Sequence, residues 1–337
     1  MCIYYGEDSL LTYNSQEHIF PATIGGIAKL PKGFVSDQAN KYFSKLESEM
    51  VTNSILGFEK MFYGPGDRGK DKPGRMPITL LKTDNSEELG FTFKGKPIVI
   101  PQIRIENDIQ HIHAIRNDEY QNNIDWQKLF NKINNFSPET KYIILDVNLE
   151  YSSFIIAYYD KNLYIATNQK DKIIWYVSII NSEVIPKMDF ATAITRDVEQ
   201  PRVQLGMSMN IDTNSIVFAK TAFNVIANIK GQEYLQNPIF ENAKNSILGK
   251  TDNIFKQLPT TTDITAFFNV DDKVHHCTLM NIYNKFCARV TFYNHWCMNF
   301  ELSKRFDDYF NLPYIYICDW RNHKEYSMLD ILGSRIN

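Results

Sequence analysis

The chain has 337 residues, a formal net charge of −3, 44% hydrophobic and 22% charged residues, which is the make-up of a globular protein with one or two domains and length enough for a sizeable core. A pI near 6.2 excludes a broadly basic nucleic-acid coat, although a local basic strip suffices to grip phosphate. Five scattered cysteines form no disulfide framework, the N-terminus MCIYYGEDS lacks the regions of a signal peptide, and no apolar run is long enough to span a bilayer, so the expected setting is a reducing cytoplasm with no membrane partner.

The first informative stretch is residues 16–40, QEHIFPATIGGIAKLPKGFVSDQAN. It holds a Glu-His pair, a proline, a Gly-Gly turn, and an Asn 22 residues beyond the His. A nuclease that uses one divalent metal needs a base for water, an acidic ligand beside it, and a further ligand brought in by the fold. His18, Glu17 and Asn40 fit those three roles in that order.

Glu17-His18-Ile19, Pro21, Gly25-Gly26 and Asn40 together resemble the HNH endonucleases, in the subgroup whose signature reads E-H-I-x-P-x-x-x-G-G followed by Cys-x-x-Cys-Asn at a helix start. The resemblance covers about the first 75 residues. It implies a ββα-metal module in which His18 is the base and one divalent ion, Mg²⁺ foremost and Mn²⁺ or another divalent as alternatives, is held by Glu17, Asn40 and water. In that frame Ile19 and Phe20 make a first strand, residues 21–32 a long loop and residues 34–36 a second strand. Asp37 then caps a helix running through Glu49, with Ala39, Tyr42, Phe43, Leu46 and Met50 on one side. Many relatives carry two Cys-x-x-Cys pairs for a structural zinc; the matching positions here are Cys2, Tyr5, Ser36 and Ala39. One thiol cannot close a tetrahedral zinc site, so no structural zinc is expected.

Residues 60–75 are rich in Gly and Pro and read as a loop. Lys60, Arg68, Lys70, Lys72 and Arg75 against Asp67 and Asp71 leave a local excess of three positive charges. Arg68, Lys70 and Arg75 are the candidate phosphate-binding residues, against the alternative of a solvated linker. Residues 77–96 read as a strand-rich connector, with a boundary near residue 95 dividing a nuclease module, 1–95, from a recognition or regulatory domain, 96–337.

In the second part, 124–133 has the apolar spacing of a helix through Trp126, Leu129, Phe130 and Ile133. Strands are expected at 142–147, 154–159, 163–166 and 173–180, joined by short polar turns that favour antiparallel pairing. Helices follow at 215–229, ending before Gly231, and from Asn237-Pro238 to Leu248 before Gly249. A last β region covers 274–282, 286–293, 298–302 and 314–318. The fold class is therefore α+β.

His111 and His113 share one face if extended, but no third ligand is apparent. The strings His275-His276-Cys277 and His295-Trp296-Cys297 fit packed sheet residues better than a metal site. Asp319-Trp320-Arg321 fits an edge turn as well as a ligand contact, and Gly206-Met-Ser-Met lacks phosphate-loop spacing. The reading is thus a metal-dependent HNH-type endonuclease acting on nucleic acid, DNA before RNA, with restriction or anti-phage defence as an extrapolated role. Its rivals are a silent HNH-fold module that binds nucleic acid or protein, and an effector inert until residues 96–337 meet a protein partner or small ligand. Oligomeric state stays open.

Overall fold

The computed structural model describes residues 1–66, 72–74, 76–106, 111–116, 123–186, 193–196, 198–204, 209–258, 273–304 and 313–334. The chain forms an α+β protein of two units, and the second is inserted into the first. One unit comprises Met1–Lys60, Gly64–Gly74 and Ser208–Asn337; the other comprises Met61–Tyr63 and Arg75–Met207. Among the described residues, no helix is long and apolar enough to cross a membrane.

The first unit opens with a tight turn in which Cys2 and Gly6 exchange two backbone hydrogen bonds, and Ile3 N–H donates to Phe34 O. Residues 17–20 then run antiparallel to 27–30: Leu30 N–H donates to Glu17 O at 2.8 Å, Ile19 N–H donates to Ala28 O at 2.9 Å, and His18 bridges Lys29. The partner of the Glu-His segment is therefore 27–30, inside the expected loop, and not 34–36. The Gly25-Gly26 turn is the reason. Gly25 adopts φ +101°, which favours a residue without Cβ, and reverses the chain early enough for Ile27 to start the return.

Helix α1, Asp37–Asn53, follows. Its N-cap is Ser36, whose Oγ accepts from Ala39 N–H, so Asp37 is its first residue and not its cap. Ala39, Phe43 and Met50 are buried as the spacing requires, with Tyr42 and Leu46 half-buried beside them. Helix α2 is Ile55–Tyr63.

The inserted unit holds two sheets. Strands β1 (Thr79–Lys82), β2 (Glu87–Phe93) and β3 (Lys96–Val99) join the later β10 (Arg202–Gln204) in the order β10-β1-β2-β3. The expected boundary near residue 95 falls at the turn between β2 and β3, inside this unit. The other sheet is β6-β8-β7-β4-β5-β9, from β4 (Gln102–Glu106), β5 (His111–Arg116), β6 (Ile143–Ile144), β7 (Ser152–Tyr159), β8 (Asn162–Thr167) and β9 (Ile194–Thr195). Helix α3, Asn123–Asn134, buries Trp126, Leu129 and Ile133 against β4, β7 and β8 residues. Residues 173–180 are helical: α4 spans Ile173–Ile179 and a π-turn continues over Ile180–Val184. That apolar run has the composition of a buried strand. Its burial, at Ile173, Tyr176, Val177, Ile180 and Val184, nevertheless recurs at three to four residues.

The chain then returns to the first unit with α5, Ile211–Lys230, capped by Asn210 and almost wholly buried in its middle. A 3₁₀ turn at Pro238–Phe240 leads into α6, Glu241–Ile247. The antiparallel sheet β13-β12-β11-β14-β15 follows, from β11 (His275–Ile282), β12 (Lys285–Phe292), β13 (Trp296–Ser303), β14 (Tyr314–Asp319) and β15 (Lys324–Ser327), and α7 is Met328–Ser334. One hydrophobic cluster combines Ile19, Phe20, Ala39 and Phe43 with Phe218 and Phe223 of α5 and Phe286, Phe292 and Phe300 of the sheet. The N-terminal hairpin and α1 therefore have no separate core.

Candidate functional site

The Glu-His segment is tied to the start of α1 by a short polar relay. Asp37 accepts from Asn14 N–H, Ser15 N–H and Ser15 Oγ–H, the last at 2.6 Å, and these bonds, that from Ser15 Oγ foremost, hold its carboxyl well below the usual range. Asn40, one turn into the helix, donates from Nδ2 to Ser15 Oγ at 3.1 Å. Ser15 lies two residues before Glu17, so the relay brings Asn40 to the root of the strand that carries Glu17 and His18. Both Asn40 and His18 are partly exposed.

Glu17 is placed differently. It is 5% exposed, and its Oε1 is ion-paired with Nζ of Lys220, a fully buried residue in the middle of α5. Lys220 also donates to Glu47 Oε1 of α1 at 2.6 Å, and its ammonium lies 5.7 Å from the Phe43 ring centroid. Burial pushes the Glu17 carboxyl up to about 6, with Lys220 pulling the other way. Burial acts to lower the Lys220 ammonium, but Glu17 and Glu47 outweigh it and the net shift is upward. One turn on, Asn224 Nδ2 donates to His18 O at 2.8 Å, and Tyr4 Oη–H donates to Asn224 Oδ1 at 2.7 Å. Helix α5 thus holds the side chain of Glu17 and the main chain of His18 with two residues on one face. Sequence reasoning named neither Lys220 nor Asn224. An internal lysine within an apolar helical run was the signal that could have marked the first.

The expected metal meets a mixed reception here. Asn40 uses Nδ2 for Ser15, so Oδ1 is the amide atom with ligand character. Glu17 does not fit as a ligand while Lys220 holds it. Two unit charges 4 Å apart repel by about 4 kcal/mol at an effective dielectric of 20, and a divalent ion beside the ammonium would meet about twice that. Among the described residues, no group of three or more His, Cys, Asp or Glu side chains is arranged to hold a metal ion.

The four positions matching the relatives' thiols converge in part. Ser36 N–H donates to Cys2 Sγ at 3.4 Å, and Ser36 Oγ caps α1 through Ala39. Tyr5 is half-buried, with Lys250 Nζ 5.3 Å from its ring centroid. Arg68, Lys70 and Arg75 lie outside the described residues. Lys60 is buried and Lys72 is exposed.

Of the other histidines His275 and His276 are buried, whereas His111 is exposed, His113 is half-buried and His295 is exposed in the turn between β12 and β13, outside the packed strand expected for it. His111 and His113 stack at 6.3 Å on β5, and His113 Nε2 lies 3.6 Å from Glu106, which also binds Arg104 at 2.5 Å. His275 is fully buried: Nδ1 accepts from Tyr293 N–H at 2.9 Å and Nε2 donates to Ile24 O at 2.8 Å. His295 Nδ1 faces Lys273 Nζ at 3.3 Å. Trp320 of the Asp319-Trp320-Arg321 turn is buried, with Nε1 donating to Lys273 O, so this turn is a packed corner.

Compared with protein-family models, curated proteins and solved structures, the chain matches none of them.

Proposed function

We propose that the chain is an HNH-type endonuclease that hydrolyses phosphodiester bonds of nucleic acid, DNA foremost, with His18 as general base. The observation that carries the reading is the relay Asn40–Ser15–Asp37, which joins the first turn of α1 to the hairpin bearing His18. His18 is partly exposed on a strand whose main chain is held on both sides, by Lys29 and by Asn224. The imidazole carried on that main chain takes the proton of a water that attacks phosphorus. A divalent ion, Mg²⁺ foremost, belongs to this reading through Asn40 and water, with Glu17 the ligand that the arrangement does not supply. The charged residues of the 60–75 loop belong to it as phosphate contacts, and a role in restriction or defence as the setting.

The ion pair of Glu17 with Lys220 favours a second reading, a silent module that kept the fold and binds nucleic acid or protein without cutting. Incubation of supercoiled plasmid with purified chain and Mg²⁺ or Mn²⁺ separates the two. The nuclease reading expects nicked or linear product, with the rate falling about 10²–10⁴-fold in His18→Ala while the fold is kept. Equal activity in wild type and His18→Ala ends it, and binding without cleavage supports the silent module.

A further inference from the structure

Lys220 is fully buried in the middle of α5, and its ammonium has two carboxylates, Glu17 of the hairpin and Glu47 of α1. A buried ammonium is tolerated only with such partners, and a buried carboxylate such as Glu17 needs a cation just as much. The cation beside Glu17 is therefore part of the polypeptide. It is fixed by a helix that also bonds His18 O through Asn224 and packs Phe218 and Phe223 into the shared core, so it is not displaced without unpacking the unit.

We propose that Glu17 is not a metal ligand in this chain: Lys220 is its resident cation, and Glu17 and Glu47 together form a lysine seat that locks the Glu-His strand and α1 onto α5. The seat is independent of the nuclease reading, which it refines by removing one of the two side chains assigned to the metal.

Two measurements on the full-length chain test it. In urea denaturation, a double-mutant cycle of Glu17→Gln and Lys220→Met is expected to show at least tenfold coupling in the folding equilibrium constant. Glu17→Gln alone should lower that constant about 10²–10³-fold, because it leaves Lys220 short of a partner. In Mn²⁺ titration calorimetry, affinity should stay within about threefold of wild type in Glu17→Gln. If that variant does not fold, Glu17→Gln with Glu47→Gln and Lys220→Met, which removes all three charges of the seat, carries the titration. A wild-type chain that binds no Mn²⁺ would sink the metal part of the nuclease reading and leave Glu17 without a metal, as proposed. Additive effects in the cycle, or a tenfold loss of Mn²⁺ affinity when Glu17 is replaced in a folded chain, would overturn the proposal.

Discussion

His275 shows how a single residue couples this fold to pH. Both ring nitrogens are bonded in a dry site between Phe20, Tyr293 and Trp320, and burial lowers its pKa to about 3, with His276 adding to the fall. The unfolded value is near 6.5, so between these limits the unfolded chain binds a proton that the folded chain refuses. The stability this residue contributes is present above pH 6.5 and is lost as pH falls toward 3. From pH 7.5 to pH 5 the loss amounts to about 2 kcal/mol. Chemical denaturation at the two pH values should show it, and His275→Gln should flatten that slope; an unchanged slope would assign acid sensitivity to other groups. The sequence marked His275 as a packed sheet residue, but the Ile24 carbonyl that accepts its hydrogen bond is 251 residues away and carries no local signal. A comparably long separation hides Lys220 from a reader of Glu17. The proximity of Asn40 to the Glu-His strand was within reach of local spacing, because hairpin and helix lie within one short stretch.

Among the elements, the turn that aims the Glu-His strand is the least forgiving. A Cβ on Gly26 would sit 2.0 Å from Phe20 O and 2.5 Å from Phe20 C, both main-chain atoms that cannot rotate away. Gly26→Ala should therefore cost about 1–3 kcal/mol, or more if the pairing of 17–20 with 27–30 breaks. A urea midpoint equal to wild type would show that the turn opens freely. The Gly-Gly pair was visible from the start, yet the strand it serves was placed too late, because Ile27 to Leu30 has no alternation long enough to read. Residues 173–180 failed in the opposite way. Ile, Val and Tyr favour strands on composition, and the helix is seen only once Tyr176 stacks on Phe154 and its neighbours join the same core cluster. Helix α5, by contrast, was legible over most of its length from Ile216, Ala219, Phe223 and Ile226, and ran four residues further at its start, to the Asn210 cap.

At the scale of the molecule, the shared core predicts that a chain cut near residue 95 does not fold. Such a fragment lacks Phe218, Phe223, Phe292 and Lys220, leaving Phe20, Phe43 and Glu17 uncovered. Circular dichroism of residues 1–95 in urea should show no cooperative transition, whereas residues 75–207, with their own apolar clusters, should unfold cooperatively. A cooperative 1–95 fragment would restore an autonomous N-terminal module. The α+β class was readable because strand patterns come in runs joined by short polar turns, with helical patterns set between the runs. The insertion was not, since no local feature announces that residues after 208 complete what residues 1–60 begin.

That discontinuity sets an order of events on the ribosome. His18 leaves the exit tunnel 206 residues ahead of Asn224, the side chain that holds its carbonyl. At roughly 5–20 residues per second, the interval is about 10–40 s. Throughout it the hairpin has emerged but has no core, and Glu17 is an uncompensated carboxylate open to water. A nascent chain broken off early would therefore carry the Glu-His-Asn set without the scaffold that shapes it. Only a chain synthesised past Asn224 can assemble this corner, so translation itself sets when the hairpin acquires its scaffold.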